Sequence, residues 1–261
     1  MNKLPVFFVI ILAGYMQGIS RNYDGIRATL KSGVSDPGDS TGLYLRSKTL
    51  LRSSAFPLTL FTAALLLNKS AYEREIQHDI HVFAGDDFNC SVDDYMQYLP
   101  AAQIYIGDIA GVEARNHWFD QSKNLLLTNI LSAIATHAIK NLYSKSRPGG
   151  SPHSFPSGHT SLVFANATVL YHEYIASSPF LAYSGYGFAV TTAAMRILND
   201  KHWISDVLAG AGIGILSANV VYLYEPLKNF NPFLKKTGNS TILFLPYYNN
   251  GAYGMSLISA F

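Results

Sequence analysis

The chain has 261 residues, of which 49% are hydrophobic and 14% are charged, with a formal net charge of +2 at pH 7. This composition predicts one domain with a large core, and the absence of a basic stripe argues against a nucleic-acid-binding role. The single cysteine, Cys90, excludes an internal disulfide, so cysteine usage does not indicate the compartment.

The N-terminus has the pattern of a targeting segment. Lys3 precedes an apolar run from Leu4 to Tyr15, and small residues follow between Met16 and Ser20. The pattern predicts a secretory signal peptide over residues 1–20. An uncleaved anchor helix is the alternative, because no Ala-x-Ala cleavage site closes the segment. In either case the main domain is expected in the periplasm or in an inner membrane with its functional face toward the periplasm.

Apolar segments of helical length recur along the rest of the chain. They cover residues 56–67, 98–112, 125–139, 160–175, 180–198 and 207–224. Their order predicts an all-α domain over residues 21–235. The last segment contains the small-residue run Ala209-Gly210-Ala211-Gly212, which would allow close helix packing either in a membrane or in a tight soluble bundle.

Two of these segments indicate a membrane. Residues 180–198 and 207–224 approach the roughly 20 residues that a spanning helix needs. The mean hydropathy of +0.13 is low for a fully embedded protein. The pattern favours a membrane-associated protein with several spans, and a soluble periplasmic protein is the alternative.

The C-terminal tail, residues 236–261, has a different pattern. Residues 241–246 and 253–258 are β-prone, and Asn249-Asn250-Gly251 between them is typical of a hairpin turn. The tail is predicted to form a short β-hairpin packed on the helical domain.

Three clusters of charged and turn-forming residues lie between residues 140 and 206. In chain order they are Lys140-x6-Arg147-Pro148, Pro156-Ser157-Gly158-His159 and Arg196-x5-His202-x3-Asp206. Each cluster alone is typical of a solvated helix end, a turn or a structural hydrogen-bonded pair. Their occurrence together and in order predicts one phosphate-handling active site.

The residue types suit a phosphate group that is bound without a metal ion. Arg147 and Arg196 would offer planar forks to its oxygens, and Lys140 would add a point charge. Ser157 and Gly158 precede an apolar helix, where unpaired N–H groups and the positive end of the helix dipole can hold an oxyanion.

The three clusters resemble the pattern of the type 2 phosphatidic acid phosphatases. This family shares a helical core with bacterial class A acid phosphatases and vanadium haloperoxidases. The resemblance extends over roughly residues 55–225 and includes a likeness to Bacteroidetes-type members. The family usually has serine before the arginine of the third cluster, whereas this chain has Met195. The resemblance implies a helical bundle that acts as a phosphatase with no cofactor and no metal.

The resemblance also implies individual roles. His202 would be the nucleophile that forms a phosphohistidine, Asp206 would orient it, and His159 would protonate the leaving oxygen. The spacing of four between His202 and Asp206 is compatible with one helical face. His202 must be neutral while His159 is protonated, which predicts a bell-shaped pH profile. His153, in the loop between the first two clusters, is a further candidate for substrate contact.

The expected substrate is a phosphorylated envelope lipid. Lipid A, undecaprenyl diphosphate and phosphatidylglycerol phosphate all remain candidates, because the phosphate-binding residues would grip the group that these lipids share. One alternative function is a soluble acid phosphatase that acts on small esters. A vanadate-dependent haloperoxidase and a non-catalytic phospholipid-binding protein are further alternatives, although the last has no need of the His202 and Asp206 pair beside His159.

Overall fold

The structure is a computed structural model that describes residues 40–85, 87–224, 227, 230–233, 241–249 and 252–260. For residues 40–52 and for the last two ranges only the backbone is described. The predicted signal peptide or anchor, residues 1–20, lies outside the described residues.

The described part of the chain is mostly helical, which confirms the all-α prediction for the main body. The helices are α1 Ser40–Leu67, α2 Ala71–Ala84, α3 Asp93–Met96, α4 Leu99–Ile109, α5 Trp118–Leu142, α6 Gly158–Tyr174, α7 Pro179–Leu198 and α8 Ile204–Tyr224. Serine side chains cap several N-termini as their propensity predicts, with Ser70 before α2, Ser157 before α6 and Ser178 before α7.

Helix α6 forms the centre of the helical body. Nearly every residue from Thr160 to Tyr174 is buried, and α5, α7 and α8 pack around it. Its apolar side chains, among them Phe164 and Leu170, belong to the main hydrophobic cluster. A helix that is covered on all sides has little freedom to shift, so its N-terminus is a rigid support for the residues that precede it.

Helix α8 uses its glycines to pack closely on two neighbours. A Cβ atom at Gly212 would lie 2.7 Å from the carbonyl oxygen of Pro57 in α1. A Cβ atom at Gly210 would lie 2.6 Å from the carbonyl oxygen of Ser157, at the start of α6. The small-residue run that the sequence shows therefore lets α8 fit between α1 and α6.

Helix α5 has its polar side chains inside and its apolar side chains outside. The residues that it buries are Gln121, Asn124, Thr128, Ser132 and Thr136. The large apolar residues that it exposes include Leu126, Ile130, Ile134 and Leu142. A helix on the surface of a water-soluble protein normally has the opposite arrangement.

Among the helices in the described ranges, α5 and α8 are long and apolar enough to cross a membrane. Most of the apolar window of α8 is buried inside the protein, whereas little of the α5 window is. The predicted span at residues 207–224 thus corresponds to α8. The span predicted at 180–198 corresponds to α7, which is not one of these two helices and carries polar residues such as Ser184, Thr191 and Arg196.

Beyond residue 233 the structure describes the backbone of two strands, β1 Thr241–Asn249 and β2 Ala252–Ala260, which pair antiparallel with Thr241 opposite Ala260. The assignment of the fold rests on the helical body. The C-terminal β-hairpin and its packing on that body stay predictions.

The close approach of α8 to the start of α6 gives a test of the fold. We expect Gly210→Ala to destabilise the protein by about 1–3 kcal/mol, because the added methyl group would overlap the carbonyl oxygen of Ser157. Gly187→Ala in α7 is the matched control, since a Cβ atom there meets nothing within 4 Å and alanine favours a helix over glycine by up to about 1 kcal/mol. Thermal unfolding of the purified protein compares the two. Equal stability of both variants would contradict the packing.

Candidate active site

The three sequence clusters meet at one end of the helical body. Helices α6 and α8 begin there, whereas α5 and α7 end there. The two N-termini direct the positive ends of their dipoles toward this region. Lys140 lies in the last turn of α5 and Arg196 in the last turn of α7, where basic side chains are favourable. These basic side chains offset the negative dipole ends of α5 and α7, so cations and two helix N-termini meet at one place.

The turn before α6 is fixed by Ser157. Its Oγ atom accepts hydrogen bonds from the N–H of Thr160 at 3.4 Å and from the Thr160 hydroxyl at 2.9 Å. The N–H of Ser157 donates to the backbone oxygen of Asp206 at 2.9 Å. This N–H is therefore not available to an anion, contrary to the expectation from sequence, and Ser157 instead caps α6 and ties it to α8.

Two N–H groups of the first turn of α6 remain suited to an anion. The N–H of Ser161 already donates to the carbonyl oxygen of Ser157 at 3.0 Å, and that of Thr160 donates to the cap. The first-turn donors without an intrahelical acceptor are then those of Gly158 and His159. A Cβ atom at Gly158 would meet nothing within 4 Å, so there is open space beside these donors.

Three cations lie near one another at the same end of the helical body. Lys140 lies within electrostatic range of both Arg147 and Arg196. Burial, followed by the neighbouring charge of Arg196, lowers the pKa of Arg147. The Nε atoms of Arg147 and Arg196 are buried and have no hydrogen-bond partner among the described residues. Because buried donors are normally paired, these two vacant donors are candidates for binding an anion.

His202 and Asp206 form the buried side of the site, with side-chain exposures of 2% and 0%. The Nδ1 atom of His202 lies 3.5 Å from Oδ2 of Asp206, at the outer limit for a hydrogen bond. The same carboxylate oxygen accepts hydrogen bonds from the N–H of Trp203 at 2.9 Å and from the hydroxyl of Ser154. Burial lowers the pKa of His202 to about 4, although Asp206 acts in the opposite direction. The imidazole is therefore neutral at pH 7.

A buried lysine that the sequence pattern did not single out holds Asp206 from the other side. The Nζ atom of Lys145 donates to Oδ1 of Asp206 at 2.9 Å, to Oε1 of Glu73 at 2.9 Å and to the hydroxyl of Ser205 at 2.8 Å. Lys145, Glu73 and Asp206 are all almost fully buried. The only sequence signal was a second basic residue two positions before Arg147, and it could not show which way the side chain points.

His159 and Asp94 form the exposed side of the site. The Nε2 atom of His159 lies 3.0 Å from Oδ1 of Asp94, and the side chains are 31% and 52% exposed. Burial, followed by the charge of Arg196, lowers the pKa of His159, whereas Asp94 raises it. The Nη1 atom of Arg196 donates to Oδ2 of Asp93 at 2.7 Å and approaches Oδ1 of Asp94 at 3.3 Å. The buried carboxylate of Asp93 thus supports the guanidinium group of Arg196.

His153 is placed apart from these contacts. It is exposed, with a φ of 58°, in the loop before α6, and none of the hydrogen bonds recorded for the described residues joins it to the site. Its contact with substrate stays a prediction. Among the residues that the structure describes, no group of three or more His, Cys, Asp or Glu side chains is placed to hold a metal ion.

The buried ion pairs of Lys145 give the second prediction. We expect Lys145→Met to destabilise the protein by about 3–5 kcal/mol, because Glu73 and Asp206 would remain buried without their cation. Adding Glu73→Gln to this variant should restore part of the loss, since one uncompensated carboxylate is removed. Chemical or thermal unfolding measures both variants. A double variant no more stable than Lys145→Met would contradict the pairing.

Comparison with known proteins bears on the family of this chain. The PAP2 superfamily model matches residues 122–230, which include all three clusters. Lipid A 1-phosphatase of Porphyromonas gingivalis is 34% identical over 184 residues, an alignment that covers 69% of this chain and 40% of that protein. The chain thus spans less than half the length of this relative.

Two solved structures are also similar. Aquifex aeolicus LpxE has a TM-score of 0.46 and 21% identity over 60% of this chain and 97% of that chain. A PAP2-type phosphatidylglycerolphosphate phosphatase from Bacillus subtilis has a TM-score of 0.48 and 20% identity over 69% of this chain and 99% of that chain. At these TM-scores neither likeness bears on the function of this chain. On the family match, residues 122–230 of this chain are a PAP2 superfamily domain.

Proposed function

We propose that this protein is a metal-independent phosphatase that hydrolyses the phosphate of an envelope lipid through a phosphohistidine intermediate. The observation that carries the proposal is the pair of buried, unpartnered Nε atoms of Arg147 and Arg196, which lie beside a neutral, buried His202. Two arginines with vacant donors suit a dianion, and a neutral imidazole suits attack on its phosphorus atom. The match of residues 122–230 to the PAP2 superfamily supports the same reaction class.

The first step is a transfer of the phosphoryl group to His202. The phosphate would be held by Arg147, Arg196, Lys140 and the N–H groups of Gly158 and His159. With Nδ1 of His202 directed toward Asp206, Nε2 is the atom that attacks phosphorus. The bond between phosphorus and the ester oxygen breaks as the new bond to Nε2 forms, and His159 gives its proton to the departing oxygen.

The second step returns the enzyme to its starting state. A water molecule attacks the phosphorus of the phosphohistidine and transfers a proton to His159, which then acts as the base. Inorganic phosphate leaves and His202 is neutral again. The guanidinium groups of Arg147 and Arg196 stabilise the charge on the equatorial phosphate oxygens in both steps, and no electron transfer is involved.

The inverted helix α5 supports a membrane location. Its exposed residues Leu126, Ile130 and Ile134 recur every four positions, so they form an apolar stripe. In water this stripe would be unfavourable, whereas in a bilayer it would contact lipid chains while the buried polar side chains hydrogen-bond within the protein. We propose that α5 faces lipid and that the site opens toward the periplasm.

Lipid A, undecaprenyl diphosphate and phosphatidylglycerol phosphate are the candidate substrates, and the lipid A 1-phosphatase of P. gingivalis favours the first. A soluble periplasmic phosphatase for small esters would use the same residues. Recovery of active protein from the soluble fraction without detergent would favour that alternative. Halide oxidation after addition of vanadate would favour a haloperoxidase.

The third prediction tests the nucleophile. In detergent and EDTA, the purified protein should release phosphate from at least one of the three candidate lipids, and His202→Ala should lower the rate by ~10³-fold or more because the covalent step is lost. His78→Ala is the matched control, since His78 is an exposed histidine on α2, and it should retain full activity. Near-normal turnover by His202→Ala would exclude the proposed nucleophile. Loss of turnover on chelation would exclude metal independence.

The fourth prediction concerns pH. Because His202 must be neutral, kcat/KM should rise as pH increases through about 4, the pKa to which burial lowers this residue. His159 must be protonated, and its pKa is also lowered. As pH rises further, kcat/KM should therefore fall, with a midpoint below the ordinary histidine pKa of about 6.5. Asp94→Asn should shift this falling limb to lower pH, since Asp94 raises the pKa of His159.

The pH measurement needs the wild type and Asp94→Asn in the same detergent and with the same substrate. Ionisation of the phosphate ester itself then affects both proteins equally. Glu113→Gln serves as a control because Glu113 is also exposed but precedes α5, at the opposite end of that helix from the site. Identical pH profiles of kcat/KM for the wild type and Asp94→Asn would exclude His159 as the general acid.

A further inference from the structure

We propose that Asp94 makes the site selective for lipid phosphates whose leaving group is uncharged, so that phosphate monoesters are preferred to diphosphates. The proposal rests on the function proposed above, because it concerns the leaving group of the same reaction. It arises from the carboxylate of Asp94, which contacts His159 beside the proposed anion-binding site. A negative charge close to a phosphate site weakens phosphate binding unless it serves another purpose.

Support of Arg196 does not explain Asp94. The neighbouring Asp93 is 1% exposed and accepts from Nη1 of Arg196 at 2.7 Å, whereas Asp94 is 52% exposed and lies 3.3 Å from the same atom. Asp93 also lies 3.4 Å from the side-chain nitrogen of Asn199. The buried carboxylate therefore positions the arginine, and the exposed one is an additional charge that faces His159.

In-line transfer places the leaving group next to Asp94. The nucleophile His202 is buried on one side of the phosphate position, and the leaving oxygen must depart on the opposite side. His159, the proton donor, marks that opposite side. Its Nε2 atom is 3.0 Å from Oδ1 of Asp94, so whatever is attached to the leaving oxygen has to pass this carboxylate.

The charge of the leaving group then decides whether its interaction with the carboxylate of Asp94 is repulsive. A lipid phosphate monoester releases an alcohol, which carries no charge and whose neighbouring hydroxyl or amide groups can donate a hydrogen bond to Asp94. A lipid diphosphate attacked at its terminal phosphorus releases a phosphate monoester, which brings negative charge to within a few ångströms of Asp94. Repulsion between exposed charges at such a distance corresponds to a factor of about ten in rate. Among the candidate lipids, a phosphorylated sugar lipid fits this site better than a polyprenyl diphosphate.

The test compares two substrates that share one chain, farnesyl phosphate and farnesyl diphosphate, in detergent micelles with the purified full-length protein. Phosphate release gives kcat/KM for each substrate with the wild type, Asp94→Asn and Asp94→Glu. Glu113→Gln removes an exposed carboxylate from the far end of the bundle and is the charge-matched control. Both substrates are measured on the same preparation, so a difference in the folded fraction cancels in their ratio.

We expect Asp94→Asn to raise kcat/KM for farnesyl diphosphate by about tenfold and to leave or lower that for farnesyl phosphate. Asp94→Glu, which keeps the charge, and Glu113→Gln should both resemble the wild type. The direction of the diphosphate change is decisive. A variant that only weakened His159 as an acid would lower kcat/KM for the monophosphate without raising it for the diphosphate.

An unchanged or lower kcat/KM for the diphosphate in Asp94→Asn would overturn the role of Asp94 while the phosphatase function stood. A tenfold rise that also appeared in Glu113→Gln would overturn it as well, since the effect would then come from overall charge. If the wild type released phosphate from neither substrate nor from the three candidate lipids, the proposed function would fail, and this inference with it.

Discussion

The ammonium group of Lys145 is the contact on which the rest of the site depends. It donates short, buried hydrogen bonds to Glu73 of α2 and to Ser205 and Asp206 of α8, and so ties both helices to the loop that follows α5. An ionised carboxylate as deeply buried as Asp206 would be strongly unfavourable without a paired cation. Because Asp206 also accepts the N–H of Trp203 and the hydroxyl of Ser154, the position of the loop around His202 depends on this ion pair.

A gradient of exposure separates the two histidines of the site. His202 lies on the buried side, and its surroundings keep it neutral over nearly the whole physiological pH range. His159 is partly exposed and touches the carboxylate of Asp94, which favours its protonated form against the effects of burial and of Arg196. The proposed nucleophile and the proposed acid thus differ in environment, which is the usual way in which one protein holds two like groups in opposite protonation states.

From its apolar segments the sequence predicted the all-α class. From three clusters in the order of a known family pattern it predicted one site with Lys140, Arg147, Arg196, His202 and Asp206. It missed Lys145, Glu73, Asp93 and Asp94. These residues lie on different elements, and nothing in their local pattern distinguishes a buried ion pair from a solvated charge. Ser157 shows the same limit of local pattern. Helix start signals located its turn, but they could not show that its N–H donates to the carbonyl oxygen of Asp206. Tertiary contacts assign partners, and spacing alone does not.

The inverted pattern of α5 links the site to the proposed substrate. This helix has 25 residues, which at 1.5 Å per residue makes it about 37 Å long, enough to cross the hydrocarbon core of a bilayer. Lys140 is in its last turn, so a bilayer packed against the apolar stripe from Leu126 to Ile134 would have its boundary close to the cation cluster. A phosphate on a lipid headgroup lies at the same boundary. Its chains could stay in the bilayer while Arg147 and Arg196 took the phosphate, and the energetic cost of extracting the lipid would be avoided.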